Sequence, residues 1–373
     1  MDRLHIFLGT KAQYIKTAPV LRLLDDRGVD YRLIDSGQHA RISVGMRGDL
    51  GLRSPDHFLG GEDDIDSIPQ FLRWSGTLAA RLPSARRLRR DVFGGDGGIC
   101  VVHGDTPSTL LSAAMARRAG LRVAHLEAGL RSHNVFHPFP EEAIRIVVMR
   151  LAHLLFAPDA TAVHNLESMG VKGRVVPVSG NTSVDALRST FDHVFPSGMP
   201  PGMGEAGDGP VVVTMHRVEN LHSKRSVGSF VELVSNLATR HDVRFVVHGP
   251  TREVIERTRA VERLTALGVD LRPLSSHADF IAAVARAPFV ITDGGSIQEE
   301  CALLGVPTLL WRYRTERPDG LGANVVLSRY DDDVVRDFLA DPERLRRKPV
   351  PLDASPAAEI VEVLLEELAN PPS

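Results

Sequence analysis

Short apolar runs of strand length alternate with amphipathic helical stretches along nearly the whole chain, and this alternation restricts the fold more than any other feature. Strand–helix–strand repeats require parallel strands joined by crossover helices, because each helix returns the chain to the edge where the next strand begins. Strands read near 4–8, 31–36, 99–103, 122–126, 153–157 and 174–178. Helical patterns lie between them, among them 14–26 (Ile15, Ala18, Leu21, Leu24) and 108–119, the latter closed by Gly120. The segment 196–210 is crowded with Gly and Pro, cannot hold a helix or strand interior, and reads as a linker. Beyond it the alternation restarts, with strands near 211–215, 243–248, 270–272, 288–292 and 307–311. The expected fold is α/β, with two doubly wound parallel-sheet domains facing a cleft, at 1–195 and 211–354. A last helical pattern at 355–369, within a tail of 355–373, is free to pack back on the N-terminal domain. A length of 373 residues supplies a core for each of two such domains.

Composition removes several classes of function. A net charge of −3 gives no bulk attraction to nucleic acid, and the basic run at 86–90 is short, lacks interleaved aromatics and reads as a solvated helix face. No apolar stretch approaches membrane-spanning length, and the N-terminus enters a strand directly, without the pattern of a signal peptide. Cys100 and Cys301 form no CxxC pair, so a reducing, cytoplasmic compartment is expected.

In doubly wound sheets ligands bind outside the carboxyl ends of strands, so residues that follow strands are the candidates. The richest such turn is Thr292-Asp293-Gly294-Gly295-Ser296-Ile297-Gln298-Glu299-Glu300, which opens a helix that Gly305 can end. Two glycines admit close backbone approach, and the helix start offers unpaired N–H groups to a phosphate. With Ile297, Cys301 and Leu304 at core-facing spacing, Gln298, Glu299 and Glu300 read as not needed for packing. An ordinary glycine turn before a charged helix start is the competing explanation. Gly9-Thr10-Lys11 follows the first strand, with Lys16 farther into its helix, and His103-Gly104-Asp105-Thr106 and His125-Leu126-Glu127 follow two others. Pro140 starts a helix whose first turn holds Glu141 and Glu142. Asp105, Glu127 and Glu141 are thereby expected at one rim of the first domain. Helix capping or turn formation accounts for Asp105 and Glu127 taken singly, and dipole complementation for one of the glutamates. In the second half His216-Arg217 and Arg312-Tyr313-Arg314-Thr315-Glu316-Arg317 follow strands. His103, His125, His133 and His137 lack metal-ligand spacing, and Asp64-Ile65-Asp66 sits in a Gly/Asp-rich loop that reads as solvated. No P-loop is present, and no GxGxxG follows a strand.

Taken in order, these segments resemble the UDP-N-acetylglucosamine 2-epimerase family. Gly9 to Lys16 is similar to its GTRPEAIK, Gly37-Gln38-His39 to GQH, and His103 to Leu110 to HGDTxSTL. His125 to Arg131 is similar to HVEAGLR, Phe139 to Arg145 to WPEEANR, and Gly180-Asn181-Thr182 to GNT. His216 to Asn220 is similar to HRREN, the glycine turn to SGGIQEE, and Thr315-Glu316-Arg317-Pro318 to TERP. Departures are Lys11 for Arg, Gln13 for Glu, Ile144 for Asn, and Gly294-Gly295-Ser296 for Ser-Gly-Gly. Lys11 keeps the charge of the arginine but loses its bidentate fork.

The resemblance implies a glycosyltransferase-B-type fold of two Rossmann-like domains, a nucleotide-sugar substrate (UDP-GlcNAc or a close relative), no cofactor, no metal, and a homodimer. It implies elimination of the diphosphate across C1–C2 to a 2-acetamidoglucal, with re-addition after protonation of the opposite face of C2. Asp105, Glu127 and Glu141 would face the sugar and carry the proton transfers, with His216 or Arg145 assisting. Thr10, Lys11, Lys16, His216, Arg217, Gly294, Gly295, Ser296 and Arg317 would serve the phosphates and substrate. Glu300 would take the ribose hydroxyls and Phe280 would pack near the base. A hydrolysing epimerase releasing N-acetylmannosamine and UDP, and a glycosyltransferase on the same fold, are the alternatives.

Overall fold

The computed structural model describes residues 2–61, 63–65, 68–135, 139–194, 207–273, 275–351 and 353–370. Its contacts divide the chain into unit 1, Met1–Ala186 with Leu352–Ser373, and unit 2, Leu187–Pro351.

Unit 1 runs β1 (Asp2–Leu8), α1 (Lys11–Asp26), β2 (Tyr31–Asp35), α2 (Ala40–Asp49), β3 (His57–Phe58), α3 (Ile68–Ala79) and α4 (Ala85–Asp91). It continues through β4 (Gly97–His103), α5 (Pro107–Arg118), β5 (Arg122–Leu126), α6 (Glu141–Leu151), β6 (Leu154–Ala157), α7 (Ala160–Ser168), β7 (Arg174–Pro177) and the start of α8 (Ser183–Val194), whose residues from Leu187 on belong to unit 2. Its seven strands are ordered β3-β2-β1-β4-β5-β6-β7, every pair parallel. Strand order reverses between β1 and β4, so a crevice opens where their carboxyl ends diverge. Two apolar clusters cover the two faces of the sheet: Phe7, Val102, Met115 and Leu155 belong to one, Leu4, Ile6, Leu33 and Phe156 to the other. Alternating strand residues are thus buried on both sides, as a parallel sheet requires.

Unit 2 runs β8 (Val211–Thr214), α9 (Val218–Leu221), α10 (Lys224–Leu237), β9 (Val243–Val247), α11 (Gly249–Arg257), α12 (Ala260–Ala266), β10 (Asp270–Pro273) and α13 (His277–Arg286). Then come β11 (Val290–Thr292), α14 (Gly295–Leu304), β12 (Thr308–Leu310), β13 (Val325–Leu327) and α15 (Asp332–Ala340). The sheet is again wholly parallel, in the order β10-β9-β8-β11-β12-β13, with its reversal between β8 and β11. Phe230, Phe245, Phe289 and Phe338 pack in its core.

The last helix, α16 (Pro356–Ala369), buries Ala357, Ile360, Val361 and Leu364 in the same cluster as Leu4 and Ile6 of unit 1. Asp185 fastens its start, accepting from Ser355 Oγ at 2.7 Å and from Ala357 N–H at 2.8 Å. Arg122 pairs with Glu367 near its end at 2.8 Å. The contact division falls within α8, ahead of the linker expected at 196–210, of which 196–206 lie outside the described residues. The described end of that segment is fixed: Gly209 N–H donates to Arg286 O at 2.9 Å.

Strands β3 and β13, absent from the sequence reading, are edge strands of two and three residues. β11 and β12 are as short as β13 but lie inside the sheet; at an edge it is pairing, not pattern, that makes a strand.

Candidate active site

At the unit 1 switch point the chain makes two tight turns side by side. Gly9 follows β1 where any side chain would collide with Ser36 Oγ and Ser108 Oγ. Buried Gln13, in the first turn of α1, ties this loop to the one after β4. Its Oε1 accepts from Gly9 N–H at 2.8 Å and Thr10 N–H at 3.1 Å. Its Nε2 donates to His103 O at 2.8 Å, Thr109 Oγ1 at 2.9 Å and Thr106 Oγ1 at 3.1 Å. Thr10 is buried at the N-cap of α1, and the half-buried Lys11 donates its backbone N–H to His39 Nδ1 at 3.4 Å.

Two carboxylates stand on buried cations at these strand ends. Glu127, after β5, accepts from Lys16 Nζ at 2.7 Å and also from Asn181 Nδ2, with His103 Nδ1 at 3.9 Å. Its backbone is left-handed, with φ of 64°, a conformation costing a non-glycine residue roughly 1–2 kcal/mol. Such strain is stable only where surrounding contacts over-determine it. Asp105, after β4, pairs with Arg145 of α6. Arg145 is itself 2% exposed and also donates to Glu142 Oε2 at 2.6 Å, and Glu142 in turn binds Arg131 and accepts from Ser132 N–H. Glu142 therefore anchors Arg145, while the half-buried Glu141 opens α6 behind a cis Phe139–Pro140 bond. Beneath the loops His125 donates Nε2–H to Gly104 O at 2.8 Å, and burial pushes its pKa down to about 4, keeping the ring neutral.

At the unit 2 switch point the organising group is Asp293, fully buried between β11 and α14. Its carboxylate accepts from the backbone N–H groups of His216 and Arg217, each at 3.0 Å, and from Asn220 Nδ2 at 2.9 Å. His216 Nδ1 lies 3.3 Å from Asp293 Oδ1, and its ring stacks on His248 with centroids 4.8 Å apart. Burial lowers the His216 pKa, with Asp293 opposing, so the imidazole is neutral at neutral pH. Gly294 N–H donates to Thr292 Oγ1 at 2.9 Å, and α14 starts at Gly295 with Ser296 half-buried. A Cβ on Gly294 would come within 2.7 Å of His216 Cε1, and one on Gly295 within 3.0 Å of Arg317 Nε. The αL residue Gly305 ends the helix, φ 69°.

The expectation that Gln298, Glu299 and Glu300 play no part in packing is corrected. All three are buried and brace the 315–319 loop or a neighbouring helix. Gln298 Nε2 donates to Arg317 O and Asp319 O, and its Oε1 accepts from Thr315 Oγ1 at 2.9 Å. Glu299 accepts from Arg317 Nη1 at 3.0 Å, and Glu300 accepts from His277 Nε2 at 2.8 Å. Arg217 reaches Glu219 at 3.3 Å and Glu316 at 3.4 Å, while Arg312 pairs with Glu316 at 2.9 Å. Phe280 is buried, 8% exposed, on α13.

Unit 1 thus brings Thr10, Lys11, Lys16, Asp105, Glu127, Glu141 and Arg145 to one set of strand ends, and unit 2 gathers His216, Arg217, Gly294, Gly295, Ser296 and Arg317. The residues that set this geometry from below were missed: Asp293, Asn220, Glu142 and His277. A carboxylate directly ahead of the glycine pair was the available signal for Asp293. Among the described residues no group of three or more His, Cys, Asp or Glu is placed to hold a metal ion, and no helix is long and apolar enough to cross a membrane. His137 and Asp66 lie outside the described residues.

Two Rossmann-like parallel sheets, each with charged loops at its switch point, define a two-unit α/β enzyme. The chain belongs to the UDP-N-acetylglucosamine 2-epimerase family, whose model of that description matches residues 22–341. It is 30% identical over 377 residues to the UDP-N-acetylglucosamine 2-epimerase of Bacillus subtilis (strain 168), covering 96% of this chain and 93% of that one. The crystal structure of the Methanocaldococcus jannaschii UDP-GlcNAc 2-epimerase in complex with UDP-GlcNAc and UDP shares the fold. Its TM-score is 0.82 at 24% identity, over 98% of this chain and 99% of that chain. The Neisseria meningitidis UDP-GlcNAc 2-epimerase bound to UDP-GlcNAc gives a TM-score of 0.79 at 25% identity, over 98% and 100%.

Proposed function

We propose that this chain interconverts UDP-N-acetylglucosamine and UDP-N-acetylmannosamine without hydrolysis. The observation that carries the reading is the pair of cation-held carboxylates at the ends of β4 and β5, Asp105 on Arg145 and Glu127 on Lys16. C2 of an N-acetylhexosamine carries no acidic proton, so direct deprotonation is unfavourable. Elimination avoids the difficulty: the C1–O bond breaks toward the diphosphate, a carboxylate takes the C2 proton, and a C1–C2 double bond forms. Proton delivery to the opposite face of C2 and return of the diphosphate oxygen to C1 complete the epimerisation. Atoms and electrons balance without an external oxidant or reductant.

Asp105, Glu127 and Glu141 take the proton-transfer and charge-stabilising roles as a coupled set. The α14 start at Gly295 and Ser296, Arg217 and Arg317 neutralise the leaving diphosphate, His216 binds it through its neutral ring, and Lys16 and Lys11 add charge. Phe280 and Glu300 serve the nucleoside. The HGDT, EAGLR and PEE segments support the non-hydrolysing branch. Both cysteines are buried free thiols, which suits a reducing cytoplasm, and the family resemblance supports a homodimer.

With UDP-N-acetylglucosamine as substrate, the expected product by NMR is a mixture of the two UDP-sugars, with no accumulation of free N-acetylmannosamine. Glu141→Gln should cut turnover by roughly a hundredfold or more while UDP still binds, since its amide cannot exchange a proton. Wild-type turnover in that variant would remove Glu141 from the mechanism. Free sugar plus UDP from the unmodified protein would establish the hydrolysing reading instead.

A further inference from the structure

Glu300 lies one and a half turns into α14 and is almost wholly enclosed, its side chain 11% exposed. One of its oxygens is already committed: Oε1 accepts from His277 Nε2 at 2.8 Å. His277 opens α13, 10% exposed at its side chain, and its Nδ1 faces Thr190 Oγ1 at 3.1 Å. A carboxylate only accepts, so the ring hydrogen sits on Nε2, and Nδ1 accepts the Thr190 hydroxyl proton. With this assignment both ring nitrogens have a partner. Among the described residues Glu300 Oε2 has no protein partner.

We propose that His277 is a positioning residue for nucleotide recognition: with its ring held by Thr190, it fixes the Glu300 carboxylate so that Oε2 and the remaining Oε1 lone pair meet the ribose hydroxyls. This rests on the reading that Glu300 takes the ribose. A carboxylate on two rotatable methylenes loses rotamer freedom when it binds a diol, and a prior hydrogen bond to one oxygen removes that loss before the ligand arrives. An apolar residue at 277 would leave helix α13 in place and the carboxylate unoriented.

Calorimetric titration of UDP and of 2′,3′-dideoxyuridine 5′-diphosphate separates positioning from simple packing. The unmodified protein should prefer UDP. His277→Ala should weaken UDP by about tenfold and leave the dideoxy ligand unchanged, the scale of a lost hydrogen bond to a charged group. His277→Gln should restore UDP binding, because its amide N–H donates from nearly the position of the imidazole Nε2. Thermal melts of each variant establish that it is folded. Equal weakening of both ligands in His277→Ala, or of neither, overturns the proposal. Glu300→Ala identifies which layer has failed. If it abolishes the preference for UDP while His277→Ala retains it, the ribose role stands and the positioning role falls. If Glu300→Ala itself keeps the full preference, the ribose assignment falls and the role of His277 with it.

Discussion

At position 13 an amide stands where the related motif has a carboxylate, and the surroundings of this chain are built for the amide. Two backbone N–H groups point at its oxygen, while a carbonyl and two hydroxyls accept from its nitrogen. Thr109 already donates its own proton to His103 O, so it has none left for a carboxylate. Gln13→Glu would set a carboxylate oxygen against the His103 carbonyl or force the acid to remain protonated. The expected cost is about 2–4 kcal/mol, read as a lowered urea midpoint for unit 1, and an unchanged midpoint would refute this account of the slot. Asp105 and Glu127 were legible because a strand-end rule needs only the local pattern. Asp293 and Glu142 were not, because both are buried: Asp293 depends on partners remote in sequence, and Glu142 on how the loop carrying Arg131 and Ser132 folds back on the start of α6. Asp293 draws on residues more than seventy positions away.

Among the elements, the long strands and their helices were legible because apolar period and length agree over many residues. The edge strands β3 and β13 were not, since pairing at a sheet edge, rather than pattern, defines them. The tail helix could be foreseen as a helix but not placed; its apolar face at Ala357, Ile360, Val361 and Leu364 matches the open side of the first sheet. The start of α14 gives the sharpest test at this scale. Gly294 has an ordinary φ of −83°, so alanine is tolerated by the backbone, and the nearest obstacle is the His216 ring, 2.7 Å from its Cβ, ahead of Ile297 Cδ1 at 3.2 Å and Thr292 Oγ1 at 3.3 Å. Gly294→Ala should therefore cost less than about 1 kcal/mol of stability yet displace His216 and weaken UDP roughly tenfold. Unimpaired UDP binding in a folded Gly294→Ala protein would separate His216 from the diphosphate.

Across the whole molecule, unit 1 encloses two neutral histidines. His5 donates Nε2–H to Gly97 O at 3.0 Å, and burial holds both its pKa and that of His125 down to about 4. In the unfolded chain each titrates near 6.5, so between 6.5 and 4 the unfolded state binds more protons than the folded one. Their contribution is complete above pH 6.5 and is lost as pH falls toward 4, on the order of 3 kcal/mol for each ring. Urea unfolding of unit 1 should show stability falling across that window, with a flatter fall in His125→Gln; identical slopes would contradict it. The division into two doubly wound sheets followed from the alternation, and the family from the order of its strand-end motifs. The central claim is chemical: the C2–H bond is broken and remade while the sugar ends linked to UDP. Incubation with UDP-N-acetylglucosamine in deuterated water, followed by NMR, tests it directly. Deuterium should appear at C2 of both UDP-sugars, and UDP-sugar recovered with no deuterium at C2 would contradict the account.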